Sequence, residues 1–321
     1  MQRYILRRVL LFIPTVLILM VLVFFMLRVI PGNIAELILA PEAGDLTKDE
    51  LEEAIAELEK FLGIDKPLHI QFLVWMKGWV TLDLGESYAS QQPVSDELMR
   101  RWPITVELML LTFFFTTIFA LPIGVMAALY QDRWPDYVLR VIALIGLSIP
   151  TFWLGTLAIL AMVLWFSYLP PLGMVQLWED PWKNLQQIFW PAIISGFHGA
   201  STAARMARSA TLEVLREDYV RTARAKGLRE NTVILRHVIK NAMIPVVTLL
   251  GFTLVFLMGG SVIIETVFSV PGIGRLLVGA IQSRDYPITQ SVTFIFVFMV
   301  LFINLLVDLF YSYLNPRIRY S

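Results

Sequence analysis

Six stretches of the chain, about 9–30, 104–129, 137–166, 188–206, 244–268 and 288–313, are each long and apolar enough to cross a lipid bilayer. An α-helix needs roughly 20 such residues to span the hydrocarbon layer, and within that layer only helices or closed barrels satisfy the backbone. The pattern therefore predicts an all-α membrane protein with six transmembrane helices. Composition agrees: 57% of the 321 residues are hydrophobic and 16% charged, with a mean hydropathy of +0.68, against about a quarter charged in soluble domains. The fourth stretch is the least apolar, holding Ser195, Gly196, His198, Gly199, Ser201 and Thr202. Small and hydroxylated residues let membrane helices approach closely, so this one reads as a helix inside a bundle.

Arg3, Arg7 and Arg8 precede an apolar run from Val9 to Ile30, broken by Pro14 and Arg28. A cleavable signal has a shorter core, about 7–15 residues, and a small-residue cleavage site. Pro-Gly-Asn follows here instead, and the run reads as a retained transmembrane helix. Lys and Arg set the orientation. With the N-terminus inside, 16 of the 26 basic residues fall on cytoplasmic segments, nine of them between Arg205 and Lys240. Segment 31–102 carries six basic and fourteen acidic residues and belongs outside. Six spans return the C-terminus to the cytoplasm. The expected organisation is a first helix in 1–30, an extracytoplasmic helical segment in 31–103, a core of helices 2–6 in 104–313 with a cytoplasmic loop at 206–243, and a cytoplasmic tail in 314–321.

Several chemistries are excluded. There is no cysteine, hence no disulfide or thiolate metal site, and His69, His198 and His237 lie too far apart in sequence to suggest a ligand cluster. Gly-Lys-Ser and Gly-Lys-Thr are absent, so the chain has no loop to cradle nucleotide phosphates. No Ser/His/Asp grammar or carboxylate pair suggests catalysis, and the chain is not expected to be an enzyme.

Two loops are more than connections. In the outer one, Thr47-Lys48-Asp49-Glu50 has the form of a capping box; Leu51, Ile55, Leu58 and Leu62 follow on one helical face, and Gly63 fits a helix terminus. A second helix is expected from Pro67, carrying Trp75 and Trp79 as interfacial aromatics. The segment reads equally as a folded cap or as a docking surface for a substrate-delivering protein. In the inner loop, Asp218 to Lys226 predicts a short helix ended by Gly227. Ala223 and Ala225 would let another surface approach, with Arg221, Arg224 and Lys226 as a charged rim. Pro245 is expected to open the next span. A positive-inside connection explains the basic residues alone, but not the alanine and glycine spacing.

Asp218-Tyr-Val-Arg-Thr-Ala-Arg-Ala-Lys-Gly-Leu, followed by Asn241-Ala-Met-Ile-Pro245, resembles the cytoplasmic loop motif of binding-protein-dependent ABC importer permeases. The chain is similar in particular to the dipeptide/oligopeptide permease class. Arg3-Tyr-Ile-Leu-Arg-Arg with Ile13-Pro14 and Pro31-Gly32, Gly63-Ile-Asp-Lys-Pro67, Leu82-Asp-Leu-Gly-Glu-Ser87 and Gln92-Pro-Val94 carry the likeness. So do Glu265-Thr-Val-Phe-Ser-Val-Pro-Gly-Ile-Gly-Arg275, Arg284-Asp-Tyr-Pro287, Asp308 and Asn315-Pro-Arg-Ile-Arg-Tyr320. One departure is Arg221-Thr222-Ala223 where the general motif has Glu-Ala-Ala. With the long stretch from Gly227 to Pro245, it fits the peptide class and disfavours sugar and amino-acid classes.

The resemblance implies the type I ABC importer permease fold and an assembly in the prokaryotic cytoplasmic (inner) membrane. A second homologous permease would complete the pathway, two cytoplasmic ATPase subunits would supply power, and an extracytoplasmic substrate-binding protein would deliver cargo. ATP and Mg would bind the ATPase subunits, with no cofactor on this chain and no nucleic-acid partner. Asp218, Tyr219, Val220, Arg221, Thr222, Ala223, Arg224, Ala225, Lys226, Gly227 and Leu228 would form the coupling helix. Gly259 and Gly260, and Pro122-Ile-Gly124, are candidate points of flexibility in the pathway or gate, or simply sites of close packing. Three acidic residues lie at or near membrane depth. Glu107 and Asp308 fall near span ends. Glu265 either faces the pathway and a substrate's amino group or pairs with Arg275 or Arg284, the pairing being preferred. Oligosaccharides, nickel complexes and glutathione are alternative cargoes for the same machinery. A self-contained secondary transporter would show internal repeats, which are not seen, and an intramembrane protease has only His198 near Ser195 and Ser201 to support it.

Overall fold

Helices account for every long element of the computed structural model, which describes residues 2–26, 28, 34–39, 47–171 and 173–314. They are α1 (Gln2–Met26), α2 (Ile34–Leu39), α3 (Lys48–Leu62), α4 (Leu68–Thr81), α5 (Val94–Leu129), α6 (Trp134–Ser148), α7 (Thr151–Phe166), α8 (Pro181–Leu215) and α9 (Asp218–Ala225). Then come α10 (Glu230–Thr232), a π-helical segment (Val233–Ile239), α11 (Lys240–Val267), α12 (Ile273–Gln282) and α13 (Tyr286–Leu314). There is no strand among the described residues, and the fold class is all-α as the hydropathy predicts. The motifs at Pro31-Gly32 and Asn315–Tyr320, with the tail beyond Leu314, lie outside the described residues.

Among the described residues four helices are long and apolar enough to span a membrane, and five if α6 and α7 count as one broken span. Two expectations need correction. The stretch 137–166 is not one helix: α6 and α7 meet at 105°. Pro150 is the reason, since it removes an N–H and drives the preceding residue out of the helical region; Ile149 sits extended at φ −88°, ψ 123°. Nor does Pro245 open a span. It lies inside α11, which runs on without a break from the π segment. The fourth expected span, 188–206, falls within the longer α8, which is not apolar enough to qualify alone. Its buried face is mostly Ala, Gly, Ser, Thr and amides, with Ile188, Pro191 and Ile194 among them.

The chain forms two compact units. In the first, Trp102–Arg275 with Phe302–Ser321, the alanine face of α8 (Ala200, Ala203, Ala204, Ala207, Ala210) packs on Ala120 of α5 and on Ala242, Val246 and Leu250 of α11. Lipid offers no hydrophobic drive between spans, so close van der Waals fit must hold them. Gly124 shows how close: a Cβ there would stand 2.5 Å from both the Ala204 carbonyl oxygen and the Ala207 Cβ. Gly124 is thus a packing residue.

The second unit comprises Gln2–Arg101 and Leu276–Leu301. Met20, Val23 and Phe294 form its core with Phe72, Trp75 and Trp79 around them; Trp79 lies 4.4 Å from the Phe294 ring. Trp75 and Trp79, expected as interfacial aromatics, are partly buried and pack against this core. Thr47 and Glu50 cap α3 reciprocally, and Gly63 ends it at φ +67°. The loop at 82–93 is latched to the start of α13: the Ser87 hydroxyl and the Ala89 N–H both donate to Oδ2 of buried Asp285. Burial and the Asp285 charge push the neighbouring Tyr88 phenol up to about 12.

Candidate functional site

The segment between α8 and α11 is built by local rules. Glu217 leaves the helical region (φ −67°, ψ 143°) and turns the chain, and α9 starts at Asp218. Asp218 in the first turn and Arg224 in the last suit the helix dipole. The helix stops at Gly227, which takes φ +77°. The Gly227 N–H donates to the Arg224 carbonyl at 2.9 Å and the Leu228 N–H to that of Ala223 at 3.4 Å, the paired bonds of a Schellman motif. A Cβ at Gly227 would meet nothing within 4 Å, so conformation and not space demands glycine there.

One face of α9 is turned into its own chain. Val220 and Ala223 are buried against Val233 and Val238, with Val214 and Leu215 beside them. Val233 and Val238 stand five residues apart, the spacing that the wide turn of a π-helix stacks on one face. Ala223 therefore packs internally and does not admit a partner, contrary to expectation; Ala225 is exposed, as are Tyr219, Arg221, Thr222, Lys226 and Leu228. Arg224, also exposed, donates through its guanidinium to both Glu230 oxygens, at 2.7 and 3.2 Å. Asn241 Nδ2 donates to the Tyr219 hydroxyl and to the His237 carbonyl, each at 2.9 Å. That amide ties α9, the π segment and α11 together. Tyr219 and Asn241 both sit in quoted motifs, yet nothing in the sequence pairs residues 22 positions apart.

On α8, the helix that carries this loop, Arg208 forms a bidentate pair with Asp136 of α6, Nε to Oδ1 at 2.9 Å and a terminal nitrogen to Oδ2 at 2.8 Å. Asp136 is fully buried, and it also accepts from the Asp132 N–H. A planar guanidinium matched to a carboxylate fixes angle as well as distance. Asp136 carries no signal in the sequence, because its partner lies 72 residues away.

Glu265 lies at the far end of α11 and is fully buried. Its Oε1 accepts from the Thr105 hydroxyl at 2.7 Å, and its Oε2 from the Arg275 N–H at 2.9 Å. Thr105 in turn accepts from the Ile273 N–H at 2.9 Å. Of the two guanidiniums expected to pair with it, that of Arg275 donates to the Ser269 carbonyl instead. Gly272 makes the approach possible, since a Cβ there would overlap the Glu265 carboxyl and the Thr105 oxygen. The buried carboxylate organises the Ser269–Arg275 turn. Gly259 and Gly260 are different. Both are exposed, and a Cβ on either would meet nothing within 4 Å. Glu107 accepts from Asn184 at 3.1 Å. No group of three or more metal-ligating side chains occurs among the described residues.

Two family profiles match nearly the whole chain. Residues 120–320 match the binding-protein-dependent transport system inner membrane component, and residues 1–109 match the N-terminal part of such membrane components. The chain belongs to the binding-protein-dependent ABC importer permeases. Among curated relatives, the glutathione transport system permease protein GsiC of Salmonella choleraesuis (strain SC-B67) is 41% identical over 321 residues, covering all of both chains. GsiC of Escherichia coli (strain K12) is 40% identical over the same span. A crystal structure of an amino acid ABC transporter with histidines aligns at a TM-score of 0.53 and 14% identity, covering 68% of this chain and 94% of that one. That likeness is one of fold alone. With the apolar helices, membership makes this chain a multi-pass inner-membrane permease subunit.

Proposed function

We propose that this permease forms half of a translocation pathway for glutathione or short peptides, driven through α9 by separate ATPase subunits. The α9 arrangement carries the reading. It is a short helix whose apolar face is anchored in its own chain, whose outer face presents Tyr219, Arg221, Ala225 and Lys226, and whose ends are fixed by Gly227 and the Tyr219–Asn241 bond. A helix held this firmly transmits a push; a loosely tethered one would absorb it. The basic loop faces the cytoplasm and both termini lie on that side, by the distribution of Lys and Arg. ATP and Mg bind the ATPase pair, a second permease completes the pathway, and an extracytoplasmic binding protein delivers cargo. Gly259 and Gly260, exposed on α11, are free to face that second permease or the pathway. Glutathione is itself a short peptide, and the GsiC relatives favour it among the cargoes the peptide class would accept.

The test uses the purified complex. Ala225→Glu places a charge on the exposed face, and Gly227→Val strains the terminus. Each is expected to abolish substrate-stimulated ATPase activity or the co-purification of the ATPase subunits, with the permease still folded. Unchanged assembly and stimulation in both would remove α9 from the mechanism. For cargo, uptake of labelled glutathione should be competed by unlabelled glutathione at lower concentration than by dipeptides; the reverse order would return the assignment to general peptides.

A further inference from the structure

A cavity of about 230 Å³ opens between α5, α6 and α8, at the end of α8 that leads into α9. Its lining is largely apolar, Ala143 and Leu144 of α6 included, and also holds three arginines, Arg140, Arg205 and Arg208, and Ser209. Three arginines beside one small cavity at the edge of a membrane call for an anion. Within the chain they meet mainly Asp136. Arg208 satisfies it in bidentate fashion. Arg140 approaches it only at 3.4 Å, and its Nε is buried without a hydrogen-bond partner. Arg205 is exposed and forms no ion pair among the described residues. Even with Asp132 near Arg208, the cavity keeps net positive charge.

The surroundings identify the anion. Tyr130, Trp134 and Tyr137 are exposed where α5 leads into α6, and aromatics of this kind settle at headgroup level. Arg140 lies over the Tyr137 ring, 4.8 Å from its centroid. Val138, Val141 and Leu144 continue from there as an exposed apolar strip along α6. A free phosphate would use the arginines and ignore this strip, whereas a phospholipid uses both, headgroup on the guanidiniums and acyl chain along α6. Basic pockets between spans on the cytoplasmic side suit anionic headgroups.

We infer that the α5–α6–α8 cavity binds the headgroup of an anionic phospholipid of the cytoplasmic leaflet, through Arg140 and Arg205. The placement in that leaflet rests on the orientation given under the proposed function. A lipid held there sits against the Asp136–Arg208 clamp, and so at the base of the helix that carries α9.

Native mass spectrometry of the whole complex, titrated with phosphatidylglycerol, phosphatidylcholine or inorganic phosphate, tests the site. Wild type should show one saturable phosphatidylglycerol site and no matching site for phosphatidylcholine. Arg140→Gln with Arg205→Gln should weaken phosphatidylglycerol about 25-fold, equivalent to about 2 kcal/mol at roughly 1 kcal/mol for each basic residue. Arg205→Lys, which keeps the charge, should bind nearly as wild type and serves as the control for folding. Equal phosphatidylglycerol affinity in wild type and the double variant would overturn the proposal. So would equally tight phosphatidylcholine, or inorganic phosphate that matches the lipid. Should the α9 variants leave ATPase coupling untouched while lipid retention still depends on Arg140 and Arg205, the coupling reading fails and the lipid site stands.

Discussion

Asn241, near the start of α11, donates its amide proton to the hydroxyl of Tyr219 in the first turn of α9, at 2.9 Å. The bond spans the whole loop and fixes the angle at which α9 leaves the bundle. A single hydrogen bond of this kind contributes about 0.5–1.5 kcal/mol net, too little to decide the fold but enough to set the stiffness of an exposed eight-residue helix. Tyr219→Phe and Asn241→Ala should each lower substrate-stimulated ATPase severalfold while the complex still assembles. The double variant should be no worse than the poorer single one, which a double-mutant cycle on the stimulated rate will show. Additive losses would mean that the two side chains act separately.

Much of α9 was legible because its signals are local. Asp218 opens the helix, Gly227 closes it, and the observed helix ends one residue before the expected Lys226. The face it buries was not legible. Ala223 and Ala225 look alike in sequence, and only the arrival of Val233 and Val238 from the π segment makes one a core residue and leaves the other exposed. The break at Pro150 is hidden for a different reason: counting apolar residues measures the length of a span and is blind to a missing N–H. Capping at Thr47 and Glu50, again local, came through intact. The contacts of Asp136 and Glu265 depend on partners 72 and 160 residues distant, beyond any pattern in a single chain.

Asp136 is a fully buried carboxylate with a matched cation. Removing one member of such a pair leaves the other charge uncompensated and costs about 3–5 kcal/mol, while replacing both with apolar residues costs far less. Arg208→Met alone should therefore destabilise the permease more than Asp136→Leu with Arg208→Met together. Thermal unfolding in detergent will rank them. A double variant as unstable as the single one would show that shape, and not charge, holds α6 to α8.

Glu265 connects two donors, the Thr105 hydroxyl and the Arg275 N–H. Glu265→Ala leaves both without an acceptor in a buried site, at about 1–3 kcal/mol each. Glu265→Gln keeps one acceptor oxygen and should cost about half as much. Gly272→Ala, which drives a methyl into the same carboxyl group, should resemble Glu265→Ala. All three should lower thermal stability without altering the preference between substrates that carry and lack a free amino group. A selective loss of amine-bearing substrates in Glu265→Gln would place the carboxylate in the pathway after all.

Glu50 accepts from both the backbone N–H and the hydroxyl of Thr47, at 2.8 and 2.7 Å. These bonds favour the ionised carboxylate and hold it below the usual carboxylate range. The sign follows directly. A carboxylate depressed in the folded state stabilises the fold above its unfolded pKa, and that contribution disappears as pH falls through the folded value. Acidification should therefore fray the first turn of α3 while Gly63 still holds its other end. Hydrogen exchange at Glu50 and Leu51, corrected for intrinsic rates, should speed up in wild type as the pH falls below the usual carboxylate range. Glu50→Gln retains an oxygen that can accept from the Thr47 N–H but cannot titrate, so its exchange should stay flat across the same interval. If that variant shows the same acceleration, another group controls the terminus and the Thr47–Glu50 box is not what anchors α3.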